Sequence, residues 1–287
     1  MISLEGRTAL VTGAGAGIGR SIADEFARHG ARVVALEIDA GRVDALKQAM
    51  RDAHVEAEIL QSDVRQQSDV DAVIAAASKR FGRLDILVNN VGNHLMLKPF
   101  VEQTDEDWEA VYDINLRQVF RMTRAAIPLL VRENYAGEES SSIINISSIE
   151  AFRGIPLTST YSSCKHAITG FTRCLALELG AQGVRVNAIA METTETATIE
   201  PSRYVAPADR DHVSTWIPLG RFGRASDVAG CALFLASNMA AWMTGATLNV
   251  DGGVLAAAGW FRDRQGNWTN VPKIEGPGFT GYYAADS

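Results

Sequence analysis

The amino-acid sequence predicts an α/β protein in which strands alternate with helices as βαβ units, and three observations carry the prediction. Short apolar runs alternate along the chain with stretches whose apolar residues recur every three to four positions. The first run breaks into a glycine-rich turn that opens directly into a helix-period stretch. Later runs end in amides, acids and glycine, residues suited to contacting a ligand where strand carboxyl ends form a crevice.

The first strand is Thr8-Ala9-Leu10-Val11, and it stops at Thr12-Gly13-Ala14-Gly15-Ala16-Gly17-Ile18-Gly19. Ile18, Ile22 and Phe26 then recur every four residues until Gly30, so strand, glycine turn, helix and C-cap follow in order. Glycines let the backbone turn tightly and approach a pyrophosphate, whose charge meets free N–H groups at the helix start. The turn therefore reads as a dinucleotide site. The second strand, Arg32 to Leu36, ends at Glu37, 18 residues beyond Gly19. A carboxylate there accepts from both adenosine ribose hydroxyls and repels a 2′-phosphate, and no arginine or lysine lies between Thr12 and Gly19 to offset the repulsion. NAD is favoured over NADP on this ground; the competing reading of Glu37 is a solvated strand-end acid.

Glu56 to Leu60 gives a third strand, followed by Ser62-Asp63-Val64 and a helical pattern through Val70, Val73, Ile74, Ala77 and Phe81. Asp85 to Gly92 is a fourth strand ending in Asn89, Asn90 and glycine, placed to line the adenosine side of a cleft. Thr104-Asp105-Glu106-Asp107 marks an acid-rich helix start. Asn115 lies inside that helix, where an amide either satisfies a bend in the backbone or holds a water, and Pro128 suggests a kink.

The centre of the chain is Ser148 to Lys165. Tyr161 and Lys165 stand four apart where a helical pattern begins (Ile168, Phe171, Leu175), which puts phenol and ammonium on one helical face. A neighbouring cation lowers a phenol's pKa, and moving one from about 10 to neutrality takes about 4 kcal/mol. Such a pair on an arbitrary helix is usually surface chemistry; its weight comes from company. Ser148, 13 positions earlier at the end of Ile143-Ile144-Asn145-Ile146, is placed to donate to the oxygen that the tyrosine deprotonates.

Val184 to Ala190 is a sixth strand, Met191 to Val213 a polar segment without period that reads as a lid or binding loop, Asp227 to Ala236 a helix, and Thr247 to Val250 a last strand. Residues 1–253 thus read as one catalytic domain. Residues 254–287 form an extension dense in aromatics (Trp260, Phe261, Trp268, Phe279, Tyr282, Tyr283), expected to dock on a neighbouring subunit or the active-site mouth.

Of the 287 residues 47% are hydrophobic, enough for a substantial core. The formal charge of −7, without a basic stretch, argues against a nucleic-acid binder. Cys164, Cys174 and Cys231 have no metal-ligand spacing and suit reduced thiols. The first six residues lack a leader pattern, and no run approaches the ~18 apolar residues of a membrane span. A cytoplasmic protein without metal or membrane is expected.

Assembled in order, Thr12-Gly13-x-x-x-Gly17-Ile18-Gly19, Asn89-Asn90-Val91-Gly92, Asn115, Ser148, Tyr161 and Lys165 make residues 4–253 resemble the short-chain dehydrogenase/reductase family in its compact, one-domain branch. The resemblance implies a Rossmann-type, doubly wound, parallel seven-stranded sheet in the order 3-2-1-4-5-6-7 between two layers of helices. It implies that Gly13, Ala16, Gly17, Ile18 and Gly19 hold the pyrophosphate end of the cofactor, and that Asp63, Val64 and Asn90 contact its adenosine. It makes Tyr161 the general acid/base, Ser148 the group that polarises the substrate oxygen, Lys165 a ligand of the nicotinamide ribose that lowers the tyrosine's pKa, and Asn115 the holder of a relay water. The family usually has Pro-Gly and then a threonine after the sixth strand; here Met191-Glu192 precede Thr194 and Thr196, which remain the expected nicotinamide neighbours. Glu192 reads as solvent-exposed or as facing the cleft. A homotetramer is expected by the same resemblance.

Substrate-facing candidates are Asn93 and His94 after the fourth strand, Glu150, Tyr204 and Trp216. A carboxylate at 150 suits a hydroxyl-bearing substrate and the aromatics suit a ring, which together favour an NAD-dependent dehydrogenase of a cyclic secondary alcohol. The alternatives are an NADPH-dependent ketone reductase, such as one acting on 3-oxoacyl thioesters, and a dinucleotide-sensing protein without turnover.

Overall fold

In the computed structural model, residues 2–133, 135–137, 139–196, 213–263 and 265–270 are described here. Seven strands form one sheet: β1 (Thr8–Thr12), β2 (Arg32–Glu37), β3 (Ala57–Gln61), β4 (Ile86–Asn89), β5 (Ser141–Ser148), β6 (Val184–Met191) and β9 (Thr247–Val250). Their order is 3-2-1-4-5-6-9 and every neighbouring pair is parallel. The expected order is met. The last strand is ninth in the chain because a short pair, β7 (Thr194–Glu195) with β8 (Gly223–Arg224), comes first.

Strand alternation decides which helix each residue meets. Ala9 and Val11 of β1, Val33 and Ala35 of β2, and Ile86 and Val88 of β4 face one layer, formed by α1 (Gly17–Arg28), α2 (Ala40–Asp52) and α7 (Ala225–Ala236). Leu10, Val34 and Leu87 face the other, formed by α3 (Gln67–Phe81), α5 (Gln118–Leu130) and α6 (Ser159–Leu179). Both faces of the sheet are therefore covered, which is why the strands read as continuous apolar runs rather than alternating ones. At the amino ends of the strands, buried Asp85 accepts from the Thr8 N–H at 2.8 Å and pairs with Arg132 at 2.8 Å and with Arg83.

Helix α4 (Asp105–Tyr112) begins with the expected cap: Thr104 and Asp107 each accept the other's backbone N–H. It runs without interruption through a π-helical turn, Asp113–Arg117, into α5. Asn115 lies in that turn, so the bend expected there is an over-wide turn of helix. Pro128 falls in the last turn of α5, where the helix ends two residues later. Beyond β9, α8 (Val254–Ala257) leads into a hairpin of β10 (Phe261–Arg262) and β11 (Trp268–Thr269), with the Arg262 guanidinium 4.6 Å from the Trp268 ring centroid. Phe279, Tyr282 and Tyr283 lie outside the described residues. No helix among the described residues is long and apolar enough to cross a membrane.

Candidate active site

Strands β1 and β4 are neighbours at the point where the strand order reverses, and a cavity of about 500 Å³ opens at their carboxyl ends. Gly13, Ala16, Gly17, Ile18, Glu37, Asp63, Val64, Asn90 and Thr196, singled out from the sequence, all line it. Gly13 and Gly17 have φ of +64° and +57°, which let the loop turn into α1 without the strain a side chain would bring. The N-cap of α1 is Ala16, whose side chain makes no capping hydrogen bond, and the helix opens at the cavity, where its N-terminus favours an anion. Gly19 serves differently. It is buried, and a Cβ there would lie 2.3 Å from the Gly13 carbonyl and 2.5 Å from Asn90 Nδ2, so its absence lets α1 close on the loop. Asn90 also staples the loop, its Nδ2 donating to the Thr12 carbonyl at 2.9 Å while Thr12 Oγ1 accepts the Asn90 N–H.

Glu37 is buried and held by three backbone N–H groups: Gly15 donates to Oε2 at 3.0 Å, Ile38 and Asp39 to Oε1 at 3.0 and 3.1 Å. It is not a solvated strand-end acid. Arg42 of α2 and Arg65 line the same end of the cavity. The glycine loop holds no base, as its sequence shows, and Arg42 comes to the cavity from α2 instead. Arg65 is engaged by Asp63, whose carboxyl it holds below the usual range by hydrogen bonding.

Ser148, Tyr161 and Lys165 do not line this cavity; they lie beyond Gly92, where a Cβ would stand 3.0 Å from Asn115 Oδ1 and 3.1 Å from Lys165 Nζ. The four side chains singled out from the sequence thus converge from the π turn, the end of β5 and one face of α6. Asn115 is fully buried, its Nδ2 donating to the carbonyls of Asn93 (2.7 Å) and Val111 (2.9 Å) and its Oδ1 accepting the Asn93 N–H. Lys165 Nζ donates to the Ile146 carbonyl at 3.2 Å, and burial lowers its pKa from 10.5 to about 8.

Tyr161 departs from expectation. Burial first, and the Glu150 carboxylate second, raise its pKa well above the usual phenol range, against a hydrogen bond with Ser148 that lowers it. Lys165 Nζ lies 5.5 Å from the ring centroid and does not offset these effects.

Four further residues singled out from the sequence are placed as follows. Glu150 is buried, with Oε2 accepting the Ser148 hydroxyl and Oε1 accepting Arg153 Nη2 at 3.1 Å, so its carboxylate is turned inward rather than open to substrate hydroxyls. Glu192 is mostly buried and takes Arg153 Nη2 at 2.7 Å. Thr194, 2% exposed, has its hydroxyl bonded to the Glu192 carbonyl and lines a second cavity of about 450 Å³ instead of the first, leaving Thr196 as the threonine of the cofactor cavity. Trp216 packs edge-on against Phe222 at 6.3 Å and lines neither cavity. His94 does lie at the site: its ring centroid is 4.2 Å from that of Tyr161, and burial against the protein lowers its pKa despite an exposed edge. Tyr204 lies outside the described residues. Sequence reasoning missed Arg153 and Gln118, whose Nε2 donates to the Val91 carbonyl at 3.0 Å. No group of three or more His, Cys, Asp and Glu among the described residues is placed to hold a metal.

Residues 13–255 match the family model described as enoyl-(acyl carrier protein) reductase. The 3-oxoacyl-[acyl-carrier-protein] reductase of Thermotoga maritima is 34% identical over 254 residues, 88% of this chain and 99% of that protein. A 7α-hydroxysteroid dehydrogenase, solved with NADH and 7-oxoglycochenodeoxycholic acid, superposes with a TM-score of 0.79 at 30% identity, covering 88% of this chain and 95% of its own. A candidate 2-deoxy-D-gluconate 3-dehydrogenase from Agrobacterium tumefaciens, solved with NADP, gives 0.76 at 38% identity, covering 88% and 98%. The chain belongs to the short-chain dehydrogenase/reductase family. More particularly, it is an NAD(P)-dependent oxidoreductase that works between a carbon-bound hydroxyl and a carbonyl.

Proposed function

We propose that the protein is an NAD-dependent dehydrogenase interconverting a cyclic secondary alcohol and its ketone. The observation that carries the cofactor choice is Glu37. Its carboxylate is fixed by three N–H groups at the end of β2, where it accepts from ribose hydroxyls and meets a 2′-phosphate with a charge that cannot swing away. Gly13, Ala16, Gly17 and Ile18 would hold the pyrophosphate, and Asp63, Val64 and Asn90 the adenosine. When bound, oxidised nicotinamide would accept the hydride and add a positive charge near the phenol. Tyr161 accepts the alcohol's proton in oxidation and returns it in reduction. Ser148 orients the reacting oxygen, Lys165 binds the nicotinamide ribose, Thr196 stands near the carboxamide, and Asn115 fixes the backbone at Asn93. The ring-bearing ligand of the steroid dehydrogenase supports a cyclic substrate. His94, on the face of Tyr161, is the residue against which it packs.

A second reading, an NADPH-dependent reductase of 3-oxoacyl thioesters, is favoured by the Thermotoga relative and by Arg42 and Arg65 beside the adenosine end of the cavity. Initial rates with NAD and NADP over a panel of cyclic secondary alcohols, and with NADH and NADPH on an acetoacetyl thioester, separate the two. Alcohol turnover with NAD is expected, and Tyr161→Phe should abolish it while leaving NAD binding intact. Thioester reduction by NADPH alone would establish the second reading, and retained turnover in Tyr161→Phe would refute the assigned chemistry.

A further inference from the structure

Beside Ser148 lies a cluster of ionised groups that the reading above does not use. The 3-10 turn after β5, Ile149–Ala151, carries Glu150, which is 6% exposed. A carboxylate so buried needs partners to stay charged. Among the described residues it has two: the Ser148 hydroxyl on Oε2 and Arg153 Nη2 on Oε1. The same Nη2 donates to Glu192 Oε2, while Glu192 Oε1 accepts the N–H and hydroxyl of Thr193, both at 2.8 Å. Arg153 therefore ties the turn bearing Ser148 to the exit of β6. Among the described residues, two carboxylates and one guanidinium leave a single net negative charge.

That charge acts on the reaction in two ways. A serine hydroxyl has one proton, and while Ser148 gives it to Glu150 it cannot give it to a phenolate at position 161. The carboxylate charge also opposes formation of that phenolate directly. Among the described residues, the ionisable groups acting on Tyr161 are Glu150 from the 3-10 turn, Glu192 from the β6 exit, Cys164 and Lys165 from α6, and His94 from the segment after β4, with Arg153, two residues past the 3-10 turn, bound to both carboxylates. We propose that Glu150 is a positioning residue of this site, and that its ion pair with Arg153, shared with Glu192, sets how alkaline the medium must be before Tyr161 accepts the substrate's proton. The inference rests on Tyr161 being the proton acceptor. It agrees with Glu150 ranking second only to burial among the causes that raise Tyr161, and with Glu192 acting in the same direction.

Opposite charges at one cluster give opposite predictions. Glu150→Gln removes a negative charge and frees the Ser148 proton, so Tyr161 should ionise about one pH unit lower. Arg153→Met leaves two carboxylates without their cation, so ionisation should move about one pH unit higher, and Arg153→Lys should hold it near the parent value. The measurement is an NMR titration of the tyrosine Cζ carbons, 13C-labelled, with saturating NAD; Tyr161 is one of six tyrosines and is assigned by its missing signal in Tyr161→Phe. The acid limb of kcat/KM for NAD reduction by cyclohexanol is the second readout and should follow the same shifts. If Glu150→Gln fails to fold, Glu192→Gln carries the same downward prediction. Shifts in the same direction for the Gln and Met variants, or a Tyr161 signal unmoved in both, would overturn the inference. Full turnover in Tyr161→Phe would instead overturn the proposed function on which it rests.

Discussion

Lys165→Met should stabilise the protein while removing its turnover. The ammonium is 3% exposed, its one hydrogen-bond acceptor among the described residues is the Ile146 carbonyl, and burial takes its pKa from 10.5 to about 8. At 1.36 kcal/mol for each pKa unit, keeping it charged in the fold costs about 3 kcal/mol. An unfolded lysine holds its proton up to 10.5, whereas the folded one releases it near 8. The penalty is therefore complete below pH 8, shrinks between pH 8 and 10.5, and vanishes above. Methionine fills a similar space without charge but gives up the bond to Ile146, worth about 1 kcal/mol. The expected net gain is about 2 kcal/mol at pH 7, seen as a melting temperature higher by a few degrees. Near pH 10 the gain should be lost. Urea or thermal unfolding of both proteins at pH 7 and pH 10, with NAD reduction followed in parallel, measures this directly. A variant less stable than the parent at pH 7, or a difference independent of pH, would refute the burial argument.

Glu37→Ala should relax the preference for NAD over NADP by about tenfold or more, because Arg42 then lines that end of the cavity without the Glu37 carboxylate to oppose it; the ratio of kcat/KM values for the two cofactors reports it. Gly19→Ala brings a Cβ within 2.3 Å of the Gly13 carbonyl, and about 2–4 kcal/mol of stability should be lost together with NAD binding, checked by unfolding and by NADH fluorescence titration. Asp85→Asn leaves Arg132 without its buried counter-charge and should lower unfolding free energy by about 3 kcal/mol while sparing cofactor affinity, since Asp85 lies at the opposite end of the sheet from the cavity.

The sheet order, the strand ends and most of the cofactor cavity were legible in the sequence because each is a local property. Apolar runs mark buried parallel strands, and the glycines of residues 13–19 admit only a tight turn against a helix. Asn115, Ser148, Tyr161 and Lys165 were legible through their order along the chain, and Gly92 is where the fold brings two of them together. What the sequence concealed is partnership across elements. Glu150 looks like an acid at a cleft until Arg153, three residues on in a segment without period, turns it inward. Glu192 shares that arginine from 39 residues away. Arg42 comes to the cavity that Glu37 lines only because α2 packs beside β2, and Thr194 turns from the cofactor cavity because its hydroxyl is taken by the Glu192 carbonyl. Tyr161 shows the same limit in its energetics: the four-residue spacing announces the ammonium, but not the carboxylate and burial that outweigh it.

The π turn at Asp113–Arg117 decides which way the helix after it faces. Each residue of an α-helix advances by about 100°, and the wide turn adds what amounts to one unpaired step between α4 and α5. Forced to run on as a regular helix with every residue kept, the same segment would swing everything after the turn by about that angle. Met122, Ala126 and Leu130, now pressed against the sheet, would turn out of the core, and Asn115 would no longer bridge to Asn93. The turn works as a phase adjuster: it allows one unbroken rod to keep two bearings, its first half set by the site and its second by the sheet.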